Sequence, residues 1–280
     1  MNGSEHGSLS RENSQNEKNS QGVGEPKKAN PIPIKATGVP AAVHTIQFGL
    51  DSTSFEAIDA TLFNVRGGNY LKDKIKYPSQ ESAFDLVELS GFSTNEICRF
   101  SMDRSDSYYN RARAAGRKDF IFVMHFDLRP MHTVMIFELK KGVLESDKPF
   151  ATCFKRFLDG NDEYKNKRLK LITSVVDANW VVKKTIGKPV PALIGNKLSC
   201  YYQQTSDMIE CTCDVNSSLA ASAIVKVVKS ACKAIVCDLV VLLEGQAEDE
   251  LPERVIGGTR YVKHDLSSYP FLECENRCKK

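Results

Sequence analysis

No long block of like charge runs through this 280-residue sequence, whose 38 Lys and Arg nearly offset its 35 Asp and Glu. A formal net charge of +3 leaves no electrostatic footprint of the size that nucleic-acid binding demands, so no nucleic-acid partner is expected. Also missing are the Gly-x-Ser-x-Gly elbow, the Gly-x-x-x-x-Gly-Lys-Ser/Thr phosphate loop, the His-Glu-x-x-His zinc helix and the Gly-x-Gly-x-x-Gly dinucleotide turn. An enzymatic role therefore has no motif to stand on. Tryptophan occurs once, at Trp180, and no aromatic residue precedes Phe48.

The nine cysteines lack the even count and regular spacing of a disulfide framework, and reduced thiols in the cytosol fit them better. Cys211 and Cys213 share one face of a strand, and Cys200 on a neighbouring strand could add a third thiolate. No closely spaced Cys or His supplies a fourth ligand, so these side chains read as small buried hydrophobes, and neither metal nor cofactor is expected. The start of the sequence has no basic segment followed by an apolar one, and Asn2 stands where myristoylation needs glycine. Cys278 is too close to the end for a prenylation box, which leaves Cys274 and Cys278 as acylation candidates only.

The longest apolar run, residues 219–243, carries Lys226, Lys229, Lys233 and Asp238. Each charge costs about 3 kcal/mol near a bilayer centre, against about 0.5 kcal/mol gained per large aliphatic, so insertion is unfavourable. No transmembrane segment is expected. The run reads instead as two buried elements of a cytoplasmic protein.

What the sequence does contain begins with a polar tail. Residues 1–42 are rich in Ser, Asn, Gln, Glu and Gly, with Pro31, Pro33 and Pro40 near the end, and are expected to be a disordered tail and linker. A folded domain is expected over residues 43–270, opening with a strand at residues 44–48, and residues 271–280 read as a flexible tail. Strands are predicted at residues 119–126 and 132–139, joined as a hairpin through Arg129-Pro130. Further strands are predicted at residues 169–175, 180–185 (ahead of the Gly187-Lys188-Pro189 break), 197–203, 208–215 and 235–244.

One helix is predicted over residues 218–233. Its Ser222, Lys226, Lys229 and Lys233 recur at helical spacing as an outward polar stripe, and Ile224, Val227, Val228, Ala231 and Ile235 form the opposite apolar face. Pro252 suits the first turn of a further short helix. Strands and helices do not alternate regularly, so the expected class is α+β: a large, mostly antiparallel sheet covered by the long helix of the C-terminal half. A START-like helix-grip arrangement is one form of such a fold. Trp180, set in a predicted strand, reads as a core anchor.

Four ordered blocks carry a family resemblance. They are Phe63-Asn64-Val65-Arg66-Gly67-Gly68-Asn69-Tyr70-Leu71-Lys72-Asp73-Lys74-Ile75-Lys76; residues 156–172, beginning Arg156-Phe157-Leu158-Asp159-Gly160; Trp180-Val181-Val182-Lys183 with Lys188-Pro189 and Gly195; and Glu250-Leu251-Pro252-Glu253-Arg254-Val255-Ile256-Gly257. Together they resemble the Enhanced Disease Resistance 2 C-terminal domain family of plants and protists over about residues 55–266. The resemblance implies a regulatory module that in plant proteins accompanies a pleckstrin-homology domain and a START lipid-transfer domain, acting at membranes in defence and cell-death signalling. This sequence is expected to lack both companions. It departs from the family at Glu210-Cys211-Thr212-Cys213-Asp214, where two cysteines take aliphatic places.

The turn Asp159-Gly160-Asn161-Asp162 precedes Lys167, Arg168 and Lys170, which could present cations to an anionic headgroup, or be neutralised by the neighbouring acids. Arg66, Lys74 and Lys76 of the first block and Arg254 of the last are similar candidates, because a lipid-binding module needs charge at its pocket mouth. His125, with Asp127 two residues on and His132 across the hairpin, and Cys153 are the groups an enzyme reading would use. The first functional reading is a non-catalytic, lipid-associated module, peripheral at membranes, with a lipid or an anionic headgroup as partner. The alternative is a protein-interaction or scaffold domain with a fully packed core, whose protein partners read the tail and loops.

Overall fold

The computed structural model describes residues 55–186 and 191–273. The tail over residues 1–42, the strand at 44–48, the Gly187-Lys188-Pro189 break, and Cys274 and Cys278 lie outside the described residues. The strands are β1 (Phe55–Ala57), β2 (Asn64–Arg66), β3 (Lys76–Pro78), β4 (Phe84–Ser93), β5 (Ile121–Leu128), β6 (Met131–Leu139), β7 (Leu169–Asp177), β8 (Ala192–Leu193), β9 (Ser199–Gln204), β10 (Met208–Asp214), β11 (Val236–Leu243) and β12 (Val255–Val262). The helices are α1 (Tyr70–Asp73), α2 (Tyr108–Ala114), α3 (Val143–Ser146), α4 (Lys148–Asp159), α5 (Asp162–Asn166), α6 (Trp180–Ile186) and α7 (Leu219–Ala231).

The α+β class with largely antiparallel pairing stands, but the strands divide between two five-stranded sheets instead of forming one. One sheet has the order β1-β12-β11-β7-β8 and the other β4-β6-β5-β10-β9, with β2 and β3 paired separately. The predicted hairpin is β5–β6, in register from Ile121 opposite Glu138 to Leu128 opposite Met131. The one parallel pairing among the described strands sets β10 beside β5, with Cys211 opposite Met124.

Period-two alternation explains the layers. On β5, Phe122, Met124 and Phe126 enter the core between the sheets, while Ile121 and Val123 face outward under Met102, Tyr108 and Ala112. On β11, Val241 and Leu243 enter the same core, while Val240 and Leu242 face the opposite way against Ala60 and Val65. Both sheets are therefore buried on both faces. They approach closely at Gly257, where a Cβ would stand 2.6 Å from the Phe137 ring.

The helix that fills the sandwich is α4, which the sequence reading missed. Asp147 caps it by accepting from the Phe150 amide, and Phe150, Cys153, Phe154 and Phe157 make its buried stripe. The Phe154 ring meets Phe84 and Phe120 edge-on with centroids 5.6 and 5.5 Å apart. Aromatic side chains thus occupy the interior that a helix-grip fold would leave open.

The predicted helix over residues 218–233 is present as α7, capped by Ser218, but none of its residues is fully buried. Its stripe is turned from the predicted direction. Lys229 donates to the Leu128 carbonyl and the Ser222 hydroxyl bonds the Val215 carbonyl, so part of the polar stripe holds the body, while Ile224 is exposed. The apolar run at 219–243 does divide into two elements, α7 and β11. No helix among the described residues is long and apolar enough to cross a membrane.

Two local expectations are overturned. Residues 180–185 are helical, not extended: the Asn179 side chain accepts from the Val182 amide and its carbonyl from the Lys183 amide, an N-terminal cap that outweighs the β preference of Val181 and Val182. Trp180 consequently projects into solvent and does not anchor the core. Pro252 lies after the short 3-10 turn Glu248–Glu250, in the connection to β12, and starts no helix.

Candidate functional site

The sequence candidates converge at one end of the first sheet, but as partners of acids. Lys170 projects from β7 on the face away from the core, the parity of Ile172, and its Nζ lies 2.5 Å from Glu253 Oε1 and 3.8 Å from Glu244 Oε2. Arg66 on β2 pairs with Glu244 at 2.9 Å, donates to the Gly245 carbonyl at 2.8 Å, and gives its amide to Glu253 at 3.0 Å. Arg168 binds Glu250 at 2.5 Å and the Glu244 carbonyl at 3.1 Å. Arg156 spans Asp249 at 2.7 Å and Glu250 at 3.0 Å.

Arg168, Lys170, Glu250 and Glu253 are all buried, so water contributes little to their solvation. Burial pulls the Lys170 ammonium below its ordinary pKa, opposed by Glu253. Burial pushes the Glu250 carboxyl up, but the Gln246 amide and the Arg156 and Arg168 guanidinia outweigh it and hold the group below its ordinary value. The residues read from sequence as a basic mouth are thus interior ion pairs at Arg168 and Lys170.

The remaining candidates lie elsewhere. Lys74 and Lys76 are exposed, although the Lys74 ammonium donates to the Leu71 carbonyl at 2.8 Å and sits over the Tyr70 ring, on which Arg66 also stacks. Lys167 is exposed and paired with Glu163 at 2.6 Å, one helical turn back. Arg254 is drawn aside, to Asp147 at 3.1 Å and the Glu81 carbonyl at 2.8 Å.

The groups of the enzyme reading are also inside. His125 Nδ1 lies 3.2 Å from Glu210 Oε1 and from Thr212 Oγ1, and its Nε2 lies 3.0 Å from His132 Nδ1. The carboxylate that meets His125 is therefore Glu210, not Asp127. Glu210 also accepts from the amides of Ser101 and Met102, pinning the turn Ser101–Asp103 to β10. Burial lowers His132 to about 2, and pushes the Cys153 thiol up to about 12.

A different surface is solvent-exposed and apolar. Trp180, at the start of α6, is 74% exposed, and Leu219, at the start of α7, is 92% exposed. Val176, at the end of β7, and Ile224 on α7 are exposed as well. Helices α6 and α7 pack beside each other. Lys183 and Lys184 on α6 and Lys226 on α7 are exposed and hold no ion pair among the described residues. Sequence reasoning missed this shoulder because it placed Trp180 in the core and turned α7 inward; the signal was Asn179, a strong cap directly before the run.

Within the described residues the four blocks fall on β2 and α1, on the stretch from the end of α4 through α5 into β7, on α6, and on the turn from Glu250 into β12. A family model described as Protein ENHANCED DISEASE RESISTANCE 2, C-terminal, matches residues 55–265. The chain belongs to the Enhanced Disease Resistance 2 C-terminal family. Over 210 residues this family member is 28% identical to a protein of Arabidopsis thaliana named Protein ENHANCED DISEASE RESISTANCE 2-like. That match covers 75% of this chain and 28% of the relative, so the chain spans little more than a quarter of the relative's length. No solved structure matches it. Seen as an Enhanced Disease Resistance 2 C-terminal domain, the molecule ties Arg66, Arg156, Arg168 and Lys170 to acids, while Lys183, Lys184 and Lys226 on the α6–α7 shoulder hold no ion pair among the described residues.

Proposed function

We propose that this domain is a non-catalytic module that associates with anionic lipid surfaces through the α6–α7 shoulder. The observation that carries the reading is the solvent-exposed pair Trp180 and Leu219 on adjoining helices, flanked by Lys183, Lys184 and Lys226. An indole suits the interface of a bilayer because one end of it is apolar and the other donates a hydrogen bond. Each lysine near an anionic surface adds about 1 kcal/mol, which makes the attraction salt-sensitive. Charge complementarity thus selects a membrane surface as the occupant of this face.

The lipid is held at the surface and not inside, because the space between the sheets is filled by Phe84, Phe122, Phe137, Phe154 and Phe157. A non-catalytic role is supported by the two groups an enzyme would use, since Cys153 is held as a neutral thiol and His125 is fully buried in a hydrogen-bond chain. Cytoplasmic residence with peripheral membrane attachment follows from the same reading.

Co-sedimentation with phosphatidylserine/phosphatidylcholine vesicles tests it. The protein pellets with the anionic vesicles at low salt, pellets less at high salt, and stays in solution with pure phosphatidylcholine. Leu219→Glu abolishes pelleting. Equal pelleting of the wild type and Leu219→Glu overturns the assignment of the face, and no pelleting at any salt turns the shoulder into a protein-docking surface.

A further inference from the structure

Away from the shoulder, the inner face of strands β9 and β10 carries two thiols in contact. Cys200 on the edge strand β9 stands opposite Cys213 on β10 in antiparallel register. Their Sγ atoms are 3.0 Å apart. A disulfide brings the sulfurs to about 2.0 Å, so the two side chains need close by only about 1 Å, without any change of strand register. Cys213 is fully buried, whereas Cys200, on the edge strand, is only half-buried. Burial, reinforced by Cys200, pushes the Cys213 thiol well above its ordinary range. The third cysteine of this cluster, Cys211, is set against Tyr202 in the ladder. No group of three or more metal-holding side chains occurs among the described residues, so a metal does not claim the pair.

We propose that Cys200 and Cys213 are a reversible redox site whose substrate is a hydroperoxide, hydrogen peroxide being the simplest. The sulfur of the less buried Cys200 attacks one peroxide oxygen as its proton is released. The O–O bond breaks, an S–O bond forms, and the departing hydroxide joins the released proton as water. The Cys213 sulfur then attacks the sulfenic sulfur. An S–S bond forms, the S–O bond breaks, and the hydroxide leaves with the Cys213 proton as a second water. Two electrons pass from the thiols to the peroxide, and a dithiol reductant reverses the step. The division of roles follows from burial, because the edge cysteine meets the oxidant and the interior one resolves it.

The full chain, reduced and desalted, is treated with hydrogen peroxide, alkylated and weighed intact. Chymotryptic cleavage after Tyr201 or Tyr202 separates Cys200 from Cys213, so a bond between them appears as a linked peptide pair. The expected result is loss of the mass of two hydrogens, loss of two of the nine alkylatable thiols, and a Cys200–Cys213 link that dithiothreitol removes. Cys200→Ser abolishes the link, and Cys213→Ser leaves a sulfenic acid at Cys200 that dimedone traps. A link to Cys211 in place of Cys213, a sulfinic acid at Cys200 beside an intact Cys213, or two unreacted thiols in the folded wild type would each overturn the proposal. The mapping on the wild type does not depend on either variant folding.

Discussion

The motif end of the first sheet and the α6–α7 shoulder treat charge in opposite ways. At the motif end, Arg66, Arg168 and Lys170 meet Glu244, Glu250 and Glu253, so these cations and anions cancel largely out of solvent, and the exposed Arg156–Asp249 pair borders them. At the shoulder, Lys183, Lys184 and Lys226 stay in solvent beside exposed Trp180 and Leu219. The difference teaches that the charged residues of the first, second and fourth family blocks hold the loop from Glu244 to Glu253 against β2 and β7. They do so by interactions that become costly when one partner is removed. The third block behaves differently, because its Trp180 and Lys183 stand in solvent on α6.

The largest expected effect breaks the buried side of this contrast. Glu250→Ala leaves Arg168 buried without its carboxylate and strips the amides of Gln246 and Ala247 of their acceptor. It is expected to cost about 3–5 kcal/mol in urea unfolding. A loss below about 1 kcal/mol would mean that the network is solvated and free to engage a ligand. Lys170→Met is expected to cost less, about 2 kcal/mol, because Glu253 keeps the Arg66 and Gly245 amides. Measuring both variants orders the pairs.

Acid should weaken the same end. Glu250 is held below its ordinary value in the folded protein, so it binds fewer protons there than in the unfolded chain, and the stability it contributes is present above the ordinary carboxylate pKa and lost as pH falls below it. Glu88, on the other sheet, runs the opposite way. Burial raises it to about 7, so the folded state holds the proton longer and stability falls as pH rises from about 4.5 to about 7. Glu88→Gln should flatten that neutral-side slope in pH-dependent unfolding and leave the acid-side loss unchanged.

The smallest expected effect on stability lies at the shoulder. Trp180→Ala and Leu219→Glu remove exposed side chains and should each change unfolding free energy by no more than about 0.5 kcal/mol. The same two changes should remove most of the vesicle affinity. A large stability loss would show that the shoulder is packed in solution, and the contrast between the two ends would collapse.

Much of the fold was legible. Alternating runs located β5, β6, β7, β9, β10 and β11 within two residues, because strands buried on both faces keep long aliphatic and aromatic stretches. The division into two sheets was not legible, since pairing partners far apart in sequence leave no local mark. Helix α4 was missed although Asp147, Phe150, Phe154 and Phe157 spell a capped amphipathic helix with Pro149 in its first turn. At the site, the pattern of Lys167, Arg168 and Lys170 was visible, but only Lys167 meets a neighbouring acid, Glu163, while the partners of Arg168 and Lys170 lie some eighty positions away at Glu250 and Glu253. A basic run cannot announce, from its own spacing, whether solvent or a distant carboxylate receives it.

Trp180 is the sole tryptophan and stands on the proposed contact face, so its fluorescence reports that contact and nothing else. The most direct test titrates the full chain with phosphatidylserine-containing vesicles, some with brominated acyl chains, while the indole emission is recorded. The account predicts a shift to shorter wavelength on binding and quenching by the brominated lipids. Vesicle binding with emission unchanged in position and unquenched would contradict it, since the membrane would then meet another part of the molecule.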